Sequence, residues 1–91
     1  MEEILNHNFY LHKECLKFAK RRVLNKKFSK NGRLTFLKKK NEYYLIDGYH
    51  RLMEHYVFDV ELKHLNIIIK NNPLKITKTQ FIHYSKYLFE N

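Results

Sequence analysis

The sequence predicts an α+β fold organised around one small mixed sheet. Two β-rich runs, residues 33–38 and 42–46, are separated by a short polar segment, which predicts a hairpin. Segments with the three- and four-residue spacing of amphipathic helices lie before and after this hairpin. The chain has 91 residues, of which 44% are hydrophobic. That is the length of one domain, residues 1–91, with enough apolar surface to fold.

The first long element is predicted to be a helix over residues 12–27. Apolar side chains recur along it at helical intervals, as at Leu16, Ala19 and Val23, and most positions between them are Lys or Arg. Gly32 then provides a stop signal, because glycine tolerates the left-handed backbone that ends many helices.

The remaining central elements follow from the same patterns. Residues 49–57 have helical spacing and predict a short helix directly after the second strand of the hairpin. Residues 61–69 predict another strand, with its apolar end central in the sheet. A short additional strand around residues 8–11 also fits the pattern.

The end of the chain carries a helix-start signal. Thr77 followed by Gln80 forms a capping-box sequence, and Phe81, Tyr84 and Leu88 continue it as an apolar stripe. We therefore expect a C-terminal helix, so that helices flank the sheet on both sides in the sequence.

Positive charge is concentrated in the first part of the chain. Residues 1–40 carry 12 basic and 3 acidic side chains, whereas residues 41–91 carry 6 of each. The candidates for contact with nucleic-acid phosphates are Lys13, Lys17, Lys20, Arg21 and Lys27. If the hairpin packs beside the first helix, residues 38–40 extend this surface and predict salt-dependent, sequence-independent binding. The alternative is an ordinary solvated face, enriched in Lys by an AT-rich genome.

Several classes of protein are excluded by composition. A single cysteine, Cys15, cannot form an internal disulfide and is expected to be a small buried residue of the helix. The 6 histidines show no i, i+4 pair on one helix, so no metal site is predicted. No apolar run has the length of a membrane span, and the first residues lack the layout of a signal peptide. We therefore expect a cytoplasmic protein with no membrane partner.

The segment with the clearest chemistry is Asp47-Gly48-Tyr49-His50-Arg51. A strand ends here and a helix begins, so backbone N–H groups without intrahelical partners and the positive end of the helix dipole meet at one turn. Gly48 lets the backbone approach a ligand, and the guanidinium of Arg51 suits phosphate oxygens. This combination predicts an anion site whose phosphate-binding residues are Gly48, His50 and Arg51.

Each of these residues also has a structural interpretation. Asp47 is expected to cap the helix, and Glu54 is expected to pair with Arg51 at the i, i+3 spacing. The candidates for a catalytic role are Asp47, His50 and Glu54, as in a nuclease or a nucleotide hydrolase. They do not form a complete catalytic set, so enzymatic activity stays open.

The segment "IDGYHRL", between a strand and a helix, resembles the signature of the ParB/sulfiredoxin-like superfamily. The looser similarity in element order covers residues 12–69. It implies a site that binds nucleotide phosphates, with Gly48 as the turn glycine and the His50-Arg51 pair on the phosphate. It further implies a nucleoside triphosphate with Mg²⁺ as cofactor, Asp47 orienting the turn or helping to hold the metal.

Departures from this family narrow the implied functions. Tyr49 stands where sulfiredoxins carry cysteine, which argues against cysteine repair. The chain is short for a partition protein or a free-serine kinase. The functions that remain are those of a nucleotide binder, a small nuclease or a DNA-associated accessory protein of a mobile element. Two alternatives stay open: a phage or plasmid inhibitor that binds a host protein and keeps the motif as scaffold, and a DNA-coating protein that uses the lysines alone. A homodimer is also compatible with so small a core.

Overall fold

A computed structural model describes residues 1–21, 32–71 and 76–89 of the chain. The helices and strands are α1 Glu2–Leu5, β1 Tyr10–His12, α2 Lys13–Arg21, β2 Arg33–Lys39, β3 Glu42–Asp47, α3 Tyr49–Phe58, β4 Asn66–Asn71 and β5 Phe81–His83. Short 3₁₀ turns cover Leu62–His64, Lys78–Gln80 and Lys86–Phe89. The predicted α+β class is therefore confirmed.

The strands form one mixed sheet in the order β4-β2-β3-β1-β5. β2 and β3 are the predicted antiparallel hairpin, while β1 runs parallel to β3 with Tyr10 beside Tyr44 and Leu11 beside Leu45. β4 runs parallel to β2, and β5 runs antiparallel to β1. Since β1 and β3 are parallel, α2 and α3, which follow them, begin at the same end of the sheet.

The main core lies between one face of the sheet and the helices. Strand residues such as Leu34, Phe36 and Leu45 are fully buried there against Leu52 of α3 and Phe9. Complete burial of aliphatic and aromatic side chains of this size stabilises a fold by about 1.5–3 kcal/mol each. This packing holds the start of α3 firmly against the sheet.

The opposite face of the sheet is covered by aromatic contacts. The ring of Tyr44 is 1% exposed, stacks on Tyr10 and meets the edge of Phe81, each with centroids 5.1 Å apart. At the rim of this cluster Lys78 forms an ion pair with Glu42 at 3.2 Å. Side chains therefore pack against both faces of this small sheet.

The predicted hairpin and the helix after it are confirmed with small shifts of their ends, and the extra strand occurs as β1. The first helix is observed as Lys13–Arg21, and residues 22–27 of the prediction lie outside the described residues. The strand predicted over 61–69 begins only at Asn66, after a 3₁₀ turn. Its central placement was wrong, because β4 is an edge strand and its isoleucines are only half-buried.

The prediction of a C-terminal helix was wrong. The side chain of Thr77 makes no capping hydrogen bond, the turn after it is only three residues long, and Phe81 begins a strand. β5 pairs with the outer edge of β1 and binds its backbone hydrogen-bonding groups, with Leu11 beside Ile82. Pairing an open strand edge while packing Phe81 on Tyr44 outweighs a local capping preference of about 1 kcal/mol.

Candidate phosphate-binding site

The turn between β3 and α3 requires glycine at position 48 for two structural reasons. Gly48 has φ of 100°, a left-handed conformation that side-chain-bearing residues rarely adopt. A Cβ at this position would overlap the carbonyl oxygen of Arg33 and lie 2.9 Å from Cδ2 of Leu34. The position that a side chain would occupy therefore points at β2. Close packing of the turn on β2, rather than room for a ligand, excludes a Cβ here.

Asp47 does not cap α3, contrary to the prediction. It is the last residue of β3, and its Oδ1 accepts the N–H of Gly48 at 2.9 Å, while Gly48 itself occupies the N-cap position. The first hydrogen bond inside the helix runs from the N–H of Leu52 to the carbonyl of Gly48 at 3.0 Å. The N–H groups of Tyr49, His50 and Arg51 therefore have no acceptor within the helix, and no side chain of the described residues caps it.

Tyr49 joins the starts of the two helices. Its ring is buried, its hydroxyl donates to the carbonyl of Leu45, and the backbone N–H of His12 donates to the same hydroxyl, both at 2.5 Å. Burial raises the pKa of the Tyr49 phenol well above its ordinary value. Tyr49 is therefore a neutral structural residue that fixes β1 and α2 against the turn.

Arg51 and Glu54 form the predicted i, i+3 ion pair. Nη1 of Arg51 donates to Oε1 of Glu54 at 2.7 Å, and the side chain of Glu54 is 8% exposed whereas that of Arg51 is 32% exposed. The other oxygen of Glu54 is buried and has no hydrogen-bond partner among the described residues. A guanidinium carries several more N–H groups than this bond uses, so Arg51 keeps donors for a ligand.

Gly32 controls the position of Arg51, a role that the sequence pattern did not reveal. A Cβ on Gly32 would overlap Cδ and Nε of Arg51 and lie 2.7 Å from its Cγ. The stem of Arg51 therefore lies directly on the backbone at Gly32, just before β2. Only the absence of a side chain at position 32 permits this path for the guanidinium.

These residues surround an open cavity of about 540 Å³, which we call the turn cavity. The residues that line it are Cys15, Phe18, Gly32, Arg33, Ile46, Asp47, Gly48, Tyr49, His50 and Arg51. The structure thus brings together the three predicted phosphate-binding residues and two of the three catalytic candidates. Glu54 does not line the cavity and acts on it through Arg51.

The charges around the turn cavity are mostly favourable to an anion. Arg33 is a second arginine in the lining, which the sequence analysis missed because its position at the cavity depends on the pairing of β2 with β3. The exposed carboxylate of Asp47 opposes a bound anion unless a cation lies between them. A Mg²⁺ ion held mainly by ligand phosphates would need one such carboxylate, which fits Asp47.

Cys15 is half-buried at the cavity rather than fully buried. Burial raises the pKa of its thiol, and the negative charges of Asp47 and Glu14 raise it further. The thiol is therefore protonated at neutral pH and is a poor nucleophile.

The predicted basic surface is only partly described. Lys13, Lys17 and Arg21 are exposed on α2 and Lys20 is half-buried, while Lys27 lies outside the described residues. The hairpin turn at residues 39–42 lies at the opposite end of β3 from Asp47, and α2 packs on β1 and α3. The lysines of the hairpin turn therefore lie far from the start of α2 and do not continue its basic surface there.

His7 and His55 form a contact that no local pattern predicts. Their Nε2 atoms are 3.1 Å apart, and their ring centroids are 5.3 Å apart with the ring planes inclined by 28°. Nδ1 of His55 contacts the carbonyl of Val60, which can only accept. In the neutral ring Nδ1 therefore carries the proton, and Nε2 of His55 accepts a hydrogen bond from the Nε2–H of His7.

Within residues 1–21, 32–71 and 76–89, no group of three or more His, Cys, Asp or Glu side chains is placed to hold a metal. Among the helices described, none combines the length and the apolar content that a membrane crossing requires. Comparison with protein-family models, with curated proteins and with solved structures gave no match.

Proposed function

We propose that this protein binds a phosphate group of a nucleotide or of a nucleic acid at the turn cavity. The observation that carries the proposal is the convergence of the uncapped start of α3 with Arg51 and Arg33 on one open cavity. Backbone N–H groups at a helix start and planar guanidinium groups are the donors that proteins most often offer to phosphate. The motif resemblance to ParB/sulfiredoxin-like proteins, including the His50-Arg51 pair, supports the same ligand.

The anion would sit at the N-terminus of α3. There it would accept hydrogen bonds from the N–H groups of the first helical turn, which have no acceptor within the helix, and from Arg51, whose stem is held by Gly32 and whose Nη1 is held by Glu54. Asp47 would share a Mg²⁺ ion carried by the phosphates. Binding, rather than turnover, is the function we propose, and the exposed basic residues of α2 would attract the polyanion from solution.

A binding titration tests this proposal. We would titrate the wild type and Arg51→Ala with CTP, ATP and GTP in the presence of Mg²⁺, and with a short duplex at about 50 mM and about 200 mM salt. We expect Arg51→Ala to weaken binding at least tenfold, because a charge-assisted contact of about 1.5–3 kcal/mol is lost. Lys63→Ala, which removes an exposed cation outside the cavity, is the matched control.

Two outcomes would contradict the proposal. If the duplex bound wild type and Arg51→Ala equally and neither protein bound nucleotide, the turn would be scaffold and the α2 lysines the site. If no ligand bound at all, phosphate recognition would be wrong, and a function through a host-protein partner would take its place. Circular dichroism of Arg51→Ala at the titration temperature shows whether a loss of binding comes from unfolding.

A further inference from the structure

The turn cavity has apolar lining residues, which we call its apolar wall, as well as cationic ones, which we call its cationic wall. Phe18 of α2 is 65% exposed and Ile46 of β3 is 39% exposed, and both line the cavity. On α2 the core-facing positions are Leu16 and Ala19, so Phe18 projects away from the core while Cys15, three residues earlier, shares its side of the helix. An aromatic ring therefore stands in solvent at the mouth of a phosphate-binding cavity.

We infer that the turn cavity takes a nucleoside phosphate whose base stacks on Phe18, with Ile46 completing the apolar contact. This inference rests on the proposed phosphate site and goes beyond it by assigning Phe18 as the residue that contacts the base. A bare phosphate or a duplex backbone would use the cationic wall and leave Phe18 exposed. A nucleoside phosphate uses both walls, because it joins a flat apolar base to an anion.

The dimensions and the charges agree with one nucleotide. A cavity of about 540 Å³ lies within the range of about 300–1,000 Å³ that small-molecule ligands occupy. Cys15 and Tyr49, which also line the cavity, have raised pKa values and are neutral at neutral pH, so they add no charge to the lining. Stacking on an aromatic face tolerates any base, so this wall selects for the presence of a base rather than for its identity.

Comparison of a nucleotide with its phosphate chain alone tests the inference. We would titrate ATP and inorganic tripolyphosphate, each with Mg²⁺, against the wild type, Phe18→Ala and Phe18→Tyr. Loss of one stacking contact should weaken ATP binding by about 5- to 100-fold in Phe18→Ala. Tripolyphosphate binding should change less than about twofold, and Phe18→Tyr should retain ATP binding because it keeps the stacking face.

Tyr87 provides a matched control, since it is 67% exposed and lies outside the residues that line the cavity. Tyr87→Ala should leave both affinities unchanged, and Phe18→Ala should remain folded because it removes an exposed ring. The inference is overturned, with the phosphate site intact, if wild type binds tripolyphosphate as tightly as ATP, or if Phe18→Ala weakens neither ligand. Failure of wild type to bind ATP, tripolyphosphate and the short duplex overturns the proposed function itself. If a single-stranded oligonucleotide bound more tightly than ATP, and Phe18→Ala weakened that binding, the ligand of the apolar wall would be a nucleic acid instead of a nucleotide.

Discussion

Replacement of Gly48 by alanine should destabilise the whole domain. The backbone at this position has φ of 100°, which costs a side-chain-bearing residue about 1–2 kcal/mol. The new Cβ would also overlap the carbonyl oxygen of Arg33, which is backbone of β2 and cannot rotate away. Overpacking of this kind typically costs about 1–3 kcal/mol. The two effects together predict a loss of about 2–5 kcal/mol, from a total of about 5–15 kcal/mol for a domain.

Urea denaturation followed by circular dichroism measures this loss. With a slope of about 1 kcal/mol per molar urea for a small domain, the midpoint should fall by about 2 M or more. Gly48→Asn separates the two causes, because asparagine tolerates a left-handed backbone but carries the same Cβ. We expect Gly48→Asn to recover about 1 kcal/mol at most. If Gly48→Ala shifted the midpoint by less than about 0.5 M, the close packing of the turn on β2 would be refuted.

Three further perturbations have outcomes that follow from the site. Arg51→Ala should lower the free energy of unfolding by about 1–3 kcal/mol in urea denaturation, because it leaves the buried Glu54 carboxylate without its cation. A double variant that also carries Glu54→Gln should be more stable than Arg51→Ala. An equal or lower stability of the double variant would argue against the ion pair. Burial and the neighbouring histidine lower the pKa of His7, so its neutral form is favoured by folding. Thermal stability should therefore be complete above about pH 6.5 and fall as the pH drops below that value, and His7→Asn should flatten this profile between pH 8 and pH 5. The Cys15 thiol should react with an alkylating reagent at neutral pH more slowly than free cysteine. Asp47→Asn should accelerate this reaction, since Asp47 helps to raise the thiol pKa. An unchanged rate in Asp47→Asn would contradict that electrostatic effect.

Patterns within one element predicted the parts of this protein that depend on near neighbours. The hairpin, the helix after residue 48 and the i, i+3 pairing of Arg51 with Glu54 were all predicted correctly. Each follows from backbone preferences or side-chain spacing over a few residues, which do not depend on the rest of the fold. The three residues predicted to bind an anion, Gly48, His50 and Arg51, line one cavity, and anion binding itself stays a prediction.

Errors arose where a local preference competed with a distant partner. The capping-box sequence at Thr77 favours a helix, but the open edge of β1 takes the residues that follow as a strand. Asp47 has a good capping side chain, yet the backbone turns at Gly48 and moves the N-cap one residue along. In both cases the energy available from pairing and packing exceeds that of a single cap.

The sequence alone was sufficient for the α+β class, the uneven charge and the turn between β3 and α3 that carries Gly48, His50 and Arg51. The structure was needed to place Phe18 and Arg33 beside that turn, to show Gly32 beneath the stem of Arg51, and to bring His7 to His55. These contacts join residues from 15 to 48 positions apart in the chain. No propensity or spacing rule reaches across such distances, because the contacts exist only after the strands have paired and the helices have packed on them.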